Sequence, residues 1–293
     1  MPKPILKKQP AEIFGNAYIE GSQKMICDIK QQYCGFIKGT CVKPRKSEPD
    51  IKVGICSLGY NIKNNTEFEP VIVCPQRFKV STVFDTIRKK YLSHWSNIEW
   101  ITEVNMGAGG SVDFVATTKN ISGEIVDFLC IEIQAAGTTG TPYQAIIDIK
   151  NAESYQSESY PFGINWANEF SKTMMQQAYK KGRVVHHWER KIVFVLQDVG
   201  LQYLQNSCDA TGLKPPTQDM PVDFCTFKMG WCESTDAWEL IFDKIVSTDI
   251  EGINSMLGGA APEMYLTEEE FIVNIIKKGI ADRVLDNSYR RFL

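Results

Sequence analysis

From Phe128 to Gln134 the chain alternates, with Phe128, Cys130, Glu132 and Gln134 on one side and Leu129, Ile131 and Ile133 on the other. A period of two is the signature of a β-strand, and apolar side chains on both sides predict one covered on both faces. The strand extends over EIVDFLCIEIQAA (124–136), and two similar runs precede it, EWITEVNM (99–106) and SVDFVATT (111–118). The intervening GAGG and KNISG segments supply glycine corners, so the three strands read as an antiparallel meander. Upstream, FKVSTVFDTIRKKYLSHW (78–95) places Val83, Phe84, Ile87 and Tyr91 at helical spacing. Downstream, NWANEFSKTMMQQAYKKG (165–182) carries the stripe Trp166, Phe170, Met174, Ala178, with Asn165 as its expected N-cap and Gly182 as its expected stop. KIVFVLQD (191–198) reads as a buried strand. TEEEFIVNIIKK (267–278) reads as a helix opened by a Thr267–Glu270 capping box. The predicted fold class is α/β, a central mixed sheet flanked by helices.

Residues 1–77 break this pattern. Gly15, Gly21, Gly35, Gly39, Pro44, Pro49, Gly54 and Gly59 cut every apolar run short, so the segment is expected to be loop-rich with little core of its own. Five of the nine cysteines fall there: Cys27, Cys34, Cys41, Cys56 and Cys74. A disulfide framework does not suit a reducing compartment, whereas thiolates around a metal would supply the missing folding energy. Four thiolates suit tetrahedral zinc or iron. No compact C-x2-C pair is present. Spacing therefore leaves the metal open, as well as the choice of four ligands from five. The division expected is a metal-binding module over 1–77 and a core over 78–293 with C-terminal helical and dimerisation elements.

At 293 residues the chain can hold one large core and a small satellite. No apolar run reaches the ~18 residues of a membrane span. The basic N-terminus MPKPILKKQPAEIFG lacks the apolar segment of a secretory leader, so the chain reads as cytoplasmic, with no membrane partner. A net charge of -3 does not mark the whole molecule as a nucleic-acid binder, but it leaves room for a local basic groove.

The candidate chemistry lies on the meander. Asp113 follows a glycine-rich turn, and Glu132 and Gln134 share one face of the next strand but one in sequence order from Glu99. If strands 111–118 and 124–136 are hairpin neighbours, Asp113 sits across from that pair. Converging carboxylates are costly unless a divalent cation neutralises them. Mg²⁺ is the hard ion such oxygens suit, and phosphodiester hydrolysis is the chemistry it supports. MGAGGS (106–111) lacks the Lys-Ser/Thr of a phosphate-binding loop and reads as a turn. His94, His186 and His187 read as ordinary surface residues. Basic clusters, among them Lys180, Lys181 and Arg183, read as solvated faces.

Asp…Glu-x-Gln after a glycine-rich turn resembles the PD-(D/E)xK nuclease site in the variant where glutamine replaces lysine. The ordered blocks GSVDFVATT, DFLCIEIQAAGTTG, GINWANEFSKTMMQQAYKKG and KIVFVLQD sharpen the likeness, as do CGFIKGTC, GICSL and CPQRF. Over roughly residues 11–200 the chain resembles the NotI family of type II restriction endonucleases. The resemblance implies a PD-(D/E)xK core with Mg²⁺ held by Asp113 and Glu132. Gln134 would orient the attacking water or the scissile phosphate, although an amide cannot carry a proton away. Glu103 would be a further acid of the site, with Glu99 as the alternative. The resemblance also implies iron in a rubredoxin-like tetrahedron of Cys34, Cys41, Cys56 and Cys74. Zinc would satisfy the same ligands, and Cys27 is the substitute candidate. It further implies a homodimer acting on double-stranded DNA at a GC-rich palindrome containing GGCC, six base pairs being favoured over eight. Arg45 or Arg77 would read guanine edges, and Thr138 and Thr139 would contact backbone phosphates. Two other readings stand beside this one: a nuclease of repair or mobile elements without strict sequence choice, and a non-catalytic, metal-stapled DNA-binding protein.

Overall fold

The N-terminal segment builds a sheet of its own. In the computed structural model, which describes residues 2–45, 48–62, 67–140, 142–152, 162–258 and positions 267, 270 and 273, this region runs β1 (Pro10–Ile13), β2 (Asn16–Ala17), helix α1 (Gln23–Gln31), the short pairs β3 (Tyr33–Cys34) with β4 (Gly39–Thr40) and β5 (Pro44–Arg45) with β6 (Glu48–Lys52), then β7 (Ile55–Tyr60) and β8 (Glu69–Ile72). Strands β2-β1-β7-β8 form one antiparallel sheet. Ile13, Phe14, Met25 and Leu58 are fully buried under it, so the segment has more core than its broken apolar runs suggest. The glycines that interrupt those runs make corners. Gly15 has φ +85°, and a Cβ there would lie 2.8 Å from the Gly35 backbone nitrogen, so no other residue fits that approach.

The larger sheet has the order β14-β13-β12-β11-β10-β9. Its first three strands, β9 (Glu99–Asn105), β10 (Ser111–Lys119) and β11 (Ile125–Gln134), form the antiparallel meander that the alternation predicts. Strand β12 (Ile192–Gln197) lies parallel to β11, β13 (Val222–Cys232) parallel to β12, and β14 (Ala237–Thr248) antiparallel to β13. A parallel β11–β12 pair requires a long crossover. Here it contains α3 (Tyr143–Ala152) and a second helix ending in α4 (Met175–His187). Helix α2 (Ser81–Tyr91) covers one face of the sheet, where Val83 and Ile87 pack with Leu129, Ile131, Ile133, Val193 and Val195. Met174, Ala178 and Val185 cluster with Cys130, Phe194 and Leu196 of the other face. Helix α5 (Asp198–Ser207) follows β12 and helix α6 (Ile250–Leu257) follows β14.

The second crossover helix departs from expectation at both ends. Among the described residues no side chain caps its start, which runs as a π-helix over Ala167–Met174 before α4. Gly182 does not stop it. That glycine is buried inside α4, where a Cβ would lie 2.7 Å from Val222 Cγ2, so it is the point of close packing between helix and sheet. Thr267 and Glu270 make the two reciprocal bonds of a capping box, at 2.8 and 3.2 Å. The other residues of that predicted helix, except 273, lie outside the described residues. Among the described residues no helix is long and apolar enough to cross a membrane.

Gln197 and Arg77 each link the two sheets. Gln197 at the end of β12 accepts from the Ile72 amide at 2.8 Å and donates to the Pro70 carbonyl at 2.7 Å. Arg77, buried, donates to Glu12 of β1 at 2.9 Å and to the Trp238 carbonyl of β14 at 2.6 Å.

Candidate active site

The antiparallel register that sets Phe114 opposite Ile131 brings Asp113 beside Glu132, on the face shared with Val115 and Cys130. Each carboxylate braces the other's strand. Asp113 Oδ2 accepts from the Ile133 amide at 2.8 Å, and Glu132 Oε2 accepts from the Asp113 amide at 3.3 Å. Gln134 follows on the same face of β11, 8% exposed, its amide donating to the Ala135 carbonyl at 2.8 Å. The structure thus brings Asp113, Glu132 and Gln134 together at one end of two central strands.

Glu103 lies in the neighbouring strand, between the pairs Val112–Val104 and Phe114–Thr102, and so in line with Asp113. Its φ of +55° takes it out of the strand pleat, an uncommon conformation for a glutamate, and it is exposed. It does not join the other two: among the described residues, no three His, Cys, Asp or Glu side chains are gathered closely enough to hold a metal. Glu99 lies further along the strand, paired with Lys119 at 2.7 Å.

One side chain at this site was missed. Lys181 of α4 is 3% exposed, and its Nζ pairs with Glu132 Oε1 at 2.5 Å. The expectation of a solvated lysine is therefore corrected. The signal was in the sequence, because Met174, Ala178, Lys181 and Val185 follow the four-three-four spacing of one helical face, which places the lysine in an apolar stripe. Burial, and after it the Asp113 charge, pushes the Glu132 carboxyl up from its ordinary range, while Lys181 pulls it down. A second acid, Glu169, packs over Gly137 just beyond β11, where a Cβ would meet its Oε1 at 2.3 Å.

Burial sorts the N-terminal cysteines. Cys34, Cys41, Cys56 and Cys74 are buried free thiols, and Cys27 is exposed. The four buried thiols influence one another. The hydrogen bond from Cys56 brings the Cys34 thiol down to about 6, and the same contact, with burial, raises Cys56. Burial raises Cys74, which also senses Cys41 and Cys34. As noted, no three of these sulfurs converge at metal-holding range.

The residues expected to face DNA separate in the same way. Arg77 is 2% exposed and committed to Glu12 and Trp238, so it does not read bases, which corrects that expectation. Arg45 is partly exposed, paired with Glu48 at 2.9 Å, and lies over the Tyr143 ring at 4.6 Å. That ring begins α3, close in sequence to Thr138 and Thr139. The Thr138 hydroxyl donates to the Gly140 carbonyl at 2.8 Å, and the exposed Thr139 hydroxyl accepts from the Gly163 amide at 3.1 Å.

Fold and site together define an α/β protein with two carboxylates paired across adjacent central strands and a lysine buried against them. Residues 20–211 match the family described as restriction endonuclease NotI, more than half of the chain, and the chain belongs to that family. It is a DNA-cleaving hydrolase that binds double-stranded DNA. No curated protein matches it.

Proposed function

We propose that the chain is a Mg²⁺-dependent type II restriction endonuclease with a PD-(D/E)xK-like core, cutting both strands of a GC-rich palindrome as a homodimer. The observation that carries this reading is the pairing of half-buried Asp113 with buried Glu132 at the strand end, with Gln134 on the same face. Two carboxylate ligands suit Mg²⁺, which completes its shell with waters and phosphate oxygens. When bound, such an ion would polarise the scissile phosphate and lower the pKa of a water. Asp113 and Glu132 would hold it. Gln134, uncharged, would turn its amide from Ala135 to orient the water or a phosphate oxygen. Arg45, Thr138 and Thr139 would contact the DNA, supported by their position around the start of α3. A homodimer follows from the substrate: a palindrome is two-fold symmetric, and each strand needs its own active site.

The test is digestion of a plasmid of known sequence with and without Mg²⁺, followed by sequencing of the ends. Cleavage at one symmetric GC-rich site is expected. Scattered ends would make the enzyme a nuclease without sequence choice, and no cutting in Mg²⁺ would make the carboxylates non-catalytic.

The proposal extends to residues 1–77 as a structural metal module, with Cys34, Cys41, Cys56 and Cys74 holding iron or zinc. Their burial as unpaired thiols and the soft sulfur donor set support it. Their present spread does not form a ligand cluster, so the module rests on donor chemistry alone. Elemental analysis of purified protein is expected to give about one iron or zinc per chain, with chelation lowering the melting temperature. A colourless preparation without stoichiometric metal removes the module.

A further inference from the structure

We infer that Lys181 is a positioning residue for cleavage, its ammonium fixing the Glu132 carboxylate beside Asp113 and cancelling one of the pair's two charges. The inference rests on the nuclease reading of that pair and assigns the site a cation from the crossover helix.

A fully buried lysine is rare without a partner, and the partner here is Glu132. Helix stability does not explain it. Lys181 continues the stripe of Met174, Ala178 and Val185, where an apolar residue would pack with no charge to desolvate. Replacing buried ion pairs by packed apolar residues is often neutral or stabilising, so the lysine is there at a cost to the fold. What it gives is orientation. One oxygen of Glu132 is taken by Lys181 and the other by the Asp113 amide, so the carboxylate is pinned at both ends. The strand offers no substitute, because Gln134 is uncharged and its amide is bound to Ala135. Among the described residues, Lys181 makes the only ion pair to either carboxylate. Supporting groups of this kind hold ligand side chains in the geometry that a metal and a reacting phosphate require.

The test compares Lys181→Met and Lys181→Arg with the unaltered enzyme in three measurements: kcat, KM for DNA, and Mn²⁺ affinity of the DNA-free protein by calorimetry. The methionine variant is expected to lose about 10–100-fold in kcat, to keep KM within about threefold, and to bind Mn²⁺ about tenfold more weakly. Arginine, which keeps the charge, is expected to recover most of the loss. A merely structural lysine would lower the melting temperature and leave the Mn²⁺ affinity and kcat of the folded fraction unchanged, and that result overturns the inference. Tighter Mn²⁺ binding with undiminished kcat also overturns it, since Lys181 would then only stand in for the metal. Should the methionine variant not fold, Lys181→Gln, which keeps a donor without the charge, is read by the same criteria. If the unaltered enzyme cuts no DNA, the nuclease reading fails by itself, and the Mn²⁺ measurement still decides whether Lys181 positions Glu132.

Discussion

Asp113→Asn yields a folded protein that binds its DNA and does not cut it. Asparagine has the shape of aspartate and keeps an oxygen that can accept from the Ile133 amide, now met at 2.8 Å, so the hairpin loses no brace. What disappears is one of the two negative charges proposed to hold a divalent cation. Lewis-acid stabilisation of a phosphoryl transition state is worth several kcal/mol, and each ~1.4 kcal/mol is a factor of ten, so cleavage should fall by about 10³-fold. Retention of the DNA in a gel shift should be equal or stronger, because a carboxylate facing phosphates has been neutralised. Glu132→Gln should lose as much activity but also melt earlier, since it strands the Lys181 ammonium in a buried site without its counter-charge. The two variants together separate chemistry from fold. Cleavage by Asp113→Asn within tenfold of the unaltered enzyme would remove the carboxylate pair from the reaction.

The pair was legible in the sequence for a local reason. Strict alternation along 128–134 put Glu132 and Gln134 on one face, and the KNISG corner made Asp113's strand a neighbour, so two short-range rules fixed a contact between positions 19 residues apart. Lys181 was not legible by charge, which normally marks a solvated position, although its place in the stripe with Met174 and Val185 carried the information. Gly182 gave the opposite error. Glycine ends helices and also lets them approach a sheet closely, and only the position of Val222 decides which applies. The N-terminal sheet was hidden because β1 pairs with β7, across α1 and two short ladders, and no local pattern announces that pairing. Arg77 was hidden in the same way, its partner Glu12 being 65 positions away.

Arg77→Met should cost about 3–5 kcal/mol of stability, the usual loss when one member of a buried ion pair is removed and the other stays behind. The guanidinium binds both Glu12 oxygens at 2.9 and 3.0 Å, donates to the Trp238 carbonyl, and lies 4.6 Å from the Phe36 ring, so one side chain clamps β1 to the large sheet. Glu12 also accepts from Ser57 at 2.8 Å, and the residue is 2% exposed. Burial raises the Glu12 carboxyl above its ordinary value, while Arg77 and Ser57 pull it back. A carboxyl raised in the folded state binds its proton more tightly there than in the unfolded chain. Its contribution is therefore complete below the unfolded pKa and is lost as pH rises through the folded one. Without Arg77 the pull is gone and the folded value moves further up, so the deficit of the variant should be smallest in mildly acid buffer and grow toward neutral pH. Denaturant unfolding at two pH values measures this, and Glu12→Gln in the same chain should recover part of the loss by removing the stranded charge. A deficit below about 1 kcal/mol that does not change with pH would mean that the pair contributes no more than an exposed one, and that the two sheets are held together by Gln197 and the shared apolar core.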